Sequence, residues 1–348
     1  MSNGITKRNI SIDVARIAAL CCVIMIHSSS YFVEHYSHGS FGFAVGNVFD
    51  GLSRIGVPLF VMISGALLLD EKKQKNMSDM IKPIMSTAFL LVFWSVVYAF
   101  VFSVIVPSVH GEGFSVLEFA KAVVLGPVHT WYLYMLIALY LATPFLKSFV
   151  KKENKNMVLI YIVAALVFSS VRPLVSALVS LDDRLLFAQT LLDKFNADFF
   201  AGYIAYYLAG WYIVHVGIKS GLKKLLYPIG LLSIGAVIAF VQFTGKFEDV
   251  YNETNTFIFL FSVSAFAFFT SLRFDENKEC PKLLALVSKL SFGMYITHIM
   301  FKKPADVLFV GMNPIAALLM RFAIVFVLSF AFSYLLSKIP LVKKIIRL

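Results

Sequence analysis

Long apolar segments, separated by short polar stretches, run along the whole chain. A bilayer-spanning helix needs about 20 consecutive, mostly apolar residues. Ten segments come close to that length, with approximate bounds at 10–33, 48–69, 83–106, 129–149, 157–178, 199–217, 225–243, 256–272, 283–301 and 313–337. The pattern therefore predicts an all-α, polytopic membrane protein, a single bundle of about ten transmembrane helices.

Composition supports this class. The 348 residues are 59% hydrophobic and 15% charged, and mean hydropathy is +0.81. Soluble globular proteins are about 45–50% apolar and about 25% charged. The first apolar segment is too long for the hydrophobic region of a signal peptide and contains Arg16, so we expect it to stay in the protein as a helix. No linker or short-period repeat divides the chain, which predicts one transmembrane domain over 1–348.

Basic residues concentrate in alternate loops, and this predicts the orientation. Lys and Arg gather on the cytoplasmic side of membrane proteins, so we expect both termini to be cytoplasmic. The net charge of +11 then reflects topology in a cell membrane and attraction to anionic lipid, and we expect no nucleic acid partner. The basic loop residues include Lys7, Arg8, Lys72, Lys73, Lys75, Lys82, Lys147, Lys151, Lys152, Lys155, Lys219, Lys223, Lys224, Arg273, Lys278, Lys282, Lys338, Lys343, Lys344 and Arg347.

The first segment carries three ionisable residues on one helix face, Asp13, Arg16 and His27. An Arg within a spanning helix costs roughly 2.5–3.5 kcal/mol on insertion scales, and such a residue is a functional-site hypothesis by default. Helix geometry places His27 about 16 Å from Arg16 along the axis, toward the outer side. In the alternative interpretation, Asp13 and Arg16 only neutralise each other.

With this orientation, several polar residues from different segments share the outer level of the bundle. They are His27, Arg54, His129, Trp131, Tyr295 and His298, and Arg321 lies in the outer half of the last segment. We expect them to converge on one site.

Each of these residues also has a structural interpretation. Asp50 and Arg54 have the spacing of an ordinary helical ion pair. The pair His129 and Trp131 fits an interfacial anchor, and His298 fits a helix cap. Tyr295 alone is typical of packing. The functional interpretation rests on several such groups at one level.

Several common chemistries lack their motifs here. The chain has no P-loop, no GxGxxG after a strand, no HExxH and no CxxC pair. Its three cysteines, Cys21, Cys22 and Cys280, have neither disulfide nor metal-ligand spacing. We therefore expect no ATP hydrolysis, no nicotinamide, no metal and no permanently bound cofactor.

Four sequence blocks resemble the acyltransferase 3 family of integral membrane acyltransferases. Their combination is most similar to the branch that contains the O-acetyltransferase of enterobacterial common antigen. The blocks are Asp13-x-x-Arg16-x-x-Ala19-x7-His27, Arg54-Ile-Gly-Val-Pro-Leu-Phe-Val-Met-Ile-Ser-Gly65, His129-Thr-Trp-Tyr-Leu and Leu290-Ser-Phe-Gly-Met-Tyr295-Ile-Thr-His298.

This resemblance implies a ten-helix bundle that moves an acyl group, usually acetyl, from cytoplasmic acyl-CoA (acetyl-CoA as co-substrate). The acceptor is a hydroxyl of a cell-surface polysaccharide or its lipid-linked precursor. The resemblance places Arg16, with Asp13, at the acyl-CoA side. It places the essential histidine at His27, and an imidazole suits the role of general base. Arg54 would orient that base or stabilise an oxyanion. The acceptor side would hold His129, Trp131, Tyr295 and His298.

A rival from another class is a transporter or flippase of lipid-linked glycans, which would use intramembrane charges as a substrate path. Inverted repeats with interrupted helices would favour it, and none is convincing here. A sensor module without catalysis is a third interpretation, and intact Arg16 and His27 argue against it. An acyl-imidazole intermediate and direct transfer both remain open.

Overall fold

The computed structural model describes residues 8–72, 77–105, 113–179, 184, 186–194, 202–247, 250–275, 280–340 and 345–346. Within them every regular element is a helix, which confirms the all-α prediction. The helices are α1 Ile10–His35, α2 Phe41–Ser53, α3 Gly56–Leu68, α4 Met77–Phe100, α5 Val116–Leu125, α6 Trp131–Phe149, α7 Lys155–Val179, α8 Leu186–Lys194, α9 Ile204–Trp211, α10 Ser220–Thr244, α11 Thr256–Ser271, α12 Lys282–Leu308 and α13 Pro314–Lys338. π-Helical turns at Val101–Ile105 and Tyr212–Val216 follow α4 and α9.

A helix lies in each of the ten predicted segments, and seven stretches are long and apolar enough to cross a membrane. Two further apolar helices, Ile204–Val216 and Thr256–Ser271, are shorter. The chain is a multi-pass membrane protein by this criterion, while the count of ten spans and the cytoplasmic termini stay predictions. The seven stretches are Ile10–His35, Phe41–Leu68, Ile81–Ile105, Val116–Phe149, Ser220–Thr244, Lys282–Leu308 and Pro314–Lys338.

Some residues that predict the orientation lie outside the described residues, namely Lys7, Lys73, Lys75, Lys278, Lys343, Lys344 and Arg347.

Helix α1 is the centre of the bundle, since α2, α3, α11, α12 and α13 all pack against it. It begins where the Asn9 side chain accepts a hydrogen bond from the Ile12 backbone N–H, at 3.2 Å, and Asp13 lies in its first turn, a favourable place for negative charge. Small residues such as Ala15 and Ala19 are fully buried on it. This packing surrounds Arg16 and His27 with helices from distant parts of the chain.

The second predicted segment is two helices rather than one. Ser40 caps α2 through the Phe43 N–H, so the helix begins before the predicted residue 48. The chain then turns at Arg54 and Ile55 before α3 begins. Pro58 has no N–H to bond the Arg54 carbonyl, so a continuous helix is disfavoured there. The break leaves the Arg54 side chain between α2 and the segment before α11.

Helices α1 and α12 run parallel. Ser288 contacts Asp13 near the start of both helices, and His298 contacts His27 further along both. Helix α12 also continues to Leu308, beyond the predicted end at 301. His298 therefore lies inside the helix and does not cap its end.

Candidate functional site

Three histidine rings from three separate segments meet in the bundle. The His298 ring centroid lies 4.9 Å from that of His27 and 5.4 Å from that of His129. His298 and His129 are buried, and His27 is half-buried. We call these three residues the histidine cluster; His298 is its central member.

Backbone carbonyls fix the tautomers of two of these rings. His298 Nδ1 bonds the Tyr295 carbonyl, and His129 Nε2 bonds the Ile296 carbonyl at 3.1 Å. A carbonyl only accepts, so these nitrogens carry the hydrogens, and in a neutral ring the other nitrogen is an acceptor. His298 Nε2 and His129 Nδ1 are buried, and neither has a hydrogen-bond partner in the part of the chain that the structure describes. The cluster thus presents basic ring nitrogens, and the His27 ring makes no hydrogen bond to the described residues.

Two tyrosines hold the cluster in place. The Tyr295 hydroxyl donates to the His129 carbonyl, and its ring centroid is 5.8 Å from that of His298. The Tyr98 hydroxyl donates to the Ile296 carbonyl at 2.7 Å, and its ring lies edge-on to His129 at 5.0 Å. The sequence pattern indicated Tyr295 as a site residue but did not indicate Tyr98. A single tyrosine among the apolar residues of α4 gives no distinctive signal.

Asp13 and Arg16 form a polar group with Arg8 and Ser288 near the start of α1. Arg16 Nη1 lies 3.6 Å from Asp13 Oδ1 and 3.4 Å from Ser288 Oγ. Ser288 donates to Asp13 at 2.5 Å, and Arg8 Nε also bonds this carboxylate. The hydrogen bond to Asp13 raises the pKa of Arg8. Asp13 thus has several donors, and the Arg16 guanidinium keeps donors available for another anion.

A cavity of about 780 Å³ lies beside this group, within the range of small-molecule sites. Arg16, Lys82 and Lys289 line it, and none of the described lining residues is an Asp or Glu. Phe60, Tyr132 and Tyr295 also line it.

Tyr295 belongs to both the cavity wall and the surroundings of the histidine cluster, whereas the three histidines do not line the cavity. Tyr132 packs on Tyr295 with ring centroids 5.3 Å apart. The cavity therefore extends from Arg16 to Tyr295, which is a neighbour of the histidine cluster.

Arg54 lies in a different set of contacts. It bonds Asp50 with Nη2 at 2.5 Å and Nε at 2.6 Å, and donates to the Tyr251 carbonyl at 2.8 Å. Glu253 is 3.9 Å away. The ion pair of the structural interpretation is thus present. Among the described residues, Arg54 makes no contact with the rings of the histidine cluster.

Trp131 lies at the periphery. Its side chain is exposed, and its ring packs on Tyr203 with centroids 5.5 Å apart. It makes no ring contact with the histidine cluster among the described residues.

No group of His, Cys, Asp and Glu within the described part of the chain is arranged to hold a metal ion. The histidine cluster is included in this finding.

Residues 9–338 match the acyltransferase domain that defines the acyltransferase 3 family. The match covers nearly the whole chain, so the protein belongs to this family and is a multi-pass membrane acyltransferase. No curated protein and no solved structure matches the chain.

Proposed function

We propose that this protein is an O-acyltransferase that takes an acyl group from cytoplasmic acyl-CoA. The acceptor is a hydroxyl of a cell-surface glycan or its lipid-linked precursor. The observation that carries the proposal is the cavity, because it joins a cationic end at Arg16 to the tyrosine that supports the histidine cluster. We propose acetyl as the acyl group, because the four sequence blocks resemble the branch that contains the O-acetyltransferase of enterobacterial common antigen.

The cationic end suits the phosphates of CoA. Arg16, Lys82 and Lys289 line the cavity, and no carboxylate belongs to the lining residues that the structure describes. The forked guanidinium bonds phosphate oxygens in pairs, and lysine acts as a compact point charge. With phosphates held there, the thin pantetheine arm and its thioester extend toward Tyr132 and Tyr295.

The histidine cluster suits the acceptor. In this scheme a His27 ring nitrogen takes the proton of the acceptor hydroxyl while the oxygen attacks the thioester carbonyl. The carbon–sulfur bond breaks as the new ester bond forms, and the thiolate of CoA leaves and takes up a proton. His298 positions the His27 ring through direct contact, and Arg54 supports negative charge developing nearby.

The proposal is tested by mass spectrometry of surface polysaccharides from three strains, a deletion strain and strains complemented with wild type or His27→Ala. We expect wild type to restore an acetyl mass that His27→Ala does not restore, although the variant inserts at a normal level. Full acylation with His27→Ala would overturn the catalytic role of His27. A deletion that removes the glycan from the surface, with acylation intact on the glycan retained inside, would favour the flippase.

A further inference from the structure

A charged group lies where α12 faces α13, and the proposed transfer step gives it no role. Lys302 Nζ bonds Asp306 Oδ2 at 2.8 Å. Arg321 Nη2 donates to the Asp306 backbone carbonyl at 2.7 Å, while Nη1 stays 4.0 Å from Asp306 Oδ1. We call Lys302, Asp306 and Arg321 the outer cation group. Its one carboxylate is bonded to Lys302, so the group keeps a net positive charge.

Several polar atoms of this group lack partners although they are buried. Arg321 is 2% exposed, yet its Nε and Nη1 have no hydrogen-bond partner among the described residues, and neither does Asp306 Oδ1. The guanidinium lies over the rings of Tyr31 at 3.9 Å and Phe32 at 5.0 Å. A buried polar atom without a hydrogen-bond partner is costly. Charge inside a membrane helix marks a functional site by default, so this arrangement points to a ligand site.

The outer cation group lies one helical turn from the histidine cluster. Helices α1 and α12 run parallel, so a step of four residues from His27 and from His298 goes in the same direction along both helices. Those positions are Tyr31 and Lys302, about 6 Å further along, on the side away from Arg16. Lys302 and His298 lie four residues apart in α12 and therefore share one face of that helix.

We propose that the outer cation group binds an anionic group of the acceptor, a phosphate or a carboxylate, and so holds the acceptor hydroxyl at His27. This inference rests on the proposed function for the identity of the hydroxyl. An oxyanion would accept hydrogen bonds from the Arg321 nitrogens that lack a hydrogen-bond partner, since guanidinium matches carboxylate and phosphate geometry. Asp306 is then a resident carboxylate that competes with the ligand. The proposed acceptor is therefore a glycan that carries an anionic group, either an acidic sugar or the diphosphate of a lipid carrier.

The test is a binding measurement on the purified full-length protein in nanodiscs of neutral lipid. The probes are farnesyl diphosphate against farnesol, and a disaccharide containing glucuronic acid against a neutral disaccharide. We expect one anionic probe to bind at least tenfold more tightly than its neutral partner. The pair that shows the difference identifies the source of the anion. No acyl transfer is needed, so an inactive protein that binds as expected would count against the proposed function and not against this site.

Three substitutions separate a ligand site from a structural ion pair. Arg321→Gln and Lys302→Gln should weaken binding of the anionic probe at least fivefold, whereas Asp306→Asn should tighten it by removing the competing charge. Lys303→Gln is the matched control, because its ammonium lies over the Phe102 ring at 4.3 Å instead. If Arg321→Gln does not fold, Lys302→Gln and Asp306→Asn decide.

Two results would overturn the proposal. One is that wild type prefers neither anionic probe over its neutral partner. The other is that Lys302→Gln and Asp306→Asn bind the probe as Lys303→Gln does.

Discussion

The His298 ring lies between the rings of His27 and His129, and its Nδ1 is held by the Tyr295 carbonyl. We predict that His298→Gln lowers kcat for acyl transfer about 10–100-fold. This is less than the roughly 10²–10⁴-fold that a direct acid–base group contributes, because His298 acts by positioning the His27 ring. Because His298 does not line the cavity, KM for acyl-CoA should stay within twofold. Steady-state kinetics with varied acyl-CoA measure both quantities.

His215→Gln is the matched control for His298→Gln. Its Nε2 also bonds a backbone carbonyl, that of Ala66 at 2.8 Å, but its ring lies on another helix, stacked on Trp211. Equal losses of kcat in both variants would mean that His298 acts only through stability.

The residue types at the site were accessible from the sequence, but their contacts were not. Topology placed His27, His129 and His298 at one level, and the structure brings those three rings together. Topology also placed Trp131 with these histidines, but the Trp131 ring packs on Tyr203. Which way a residue faces depends on the rotation of its helix against neighbours distant in sequence, and a single helix does not encode that rotation.

At the scale of elements, helices α3 and α9 cross at glycines. A Cβ on Gly65 would overlap the Tyr207 backbone carbonyl, and a Cβ on Gly210 would overlap that of Met62. Because backbone atoms cannot rotate away, Gly65→Ala should push the helices apart and destabilise the protein by about 1–3 kcal/mol. A fall in thermal unfolding temperature of the detergent-solubilised protein is the measurement.

Gly235→Ala provides a control of opposite sign. Gly235 lies within α10, and a Cβ there would meet nothing within 4 Å. Alanine should stabilise that helix by about 0.5–1 kcal/mol relative to glycine. A Gly65→Ala variant as stable as Gly235→Ala would contradict the close crossing.

Helix positions followed from the hydrophobic pattern, whereas the end of α12 did not. The pattern ended the ninth segment at 301 because Lys302, Lys303 and Pro304 follow, but α12 continues to Leu308. Lys302 and Asp306 pair at i and i+4, which lets a charged stretch remain helical. Sequence hydropathy counts such charges singly and does not see that they compensate each other.

In the whole molecule, the cavity extends from Arg16 to Tyr295, which packs beside the histidine cluster. Arg16 and His27 are about 16 Å apart along the first helix. Residues from α1, α4 and α12 supply its cations, Arg16, Lys82 and Lys289. The sequence indicated Arg16 as the phosphate-binding residue, but Lys82 and Lys289 join it only through packing. The charge of the cavity is therefore a property of the assembled bundle, and it should control use of the donor.

We predict that Arg16→Ala and Lys289→Gln each raise KM for acetyl-CoA about tenfold, equivalent to about 1.4 kcal/mol of binding free energy. S-acetylpantetheine lacks the phosphates, so its KM should be high in wild type and unchanged in both variants. Lys121→Gln is the control, because Lys121 is exposed, pairs with Glu118 and lies outside the cavity lining. If both donors lose affinity equally in Arg16→Ala, Arg16 supports the fold through Asp13 and Ser288. A loss confined to acetyl-CoA would assign the cationic end of the cavity to the phosphates.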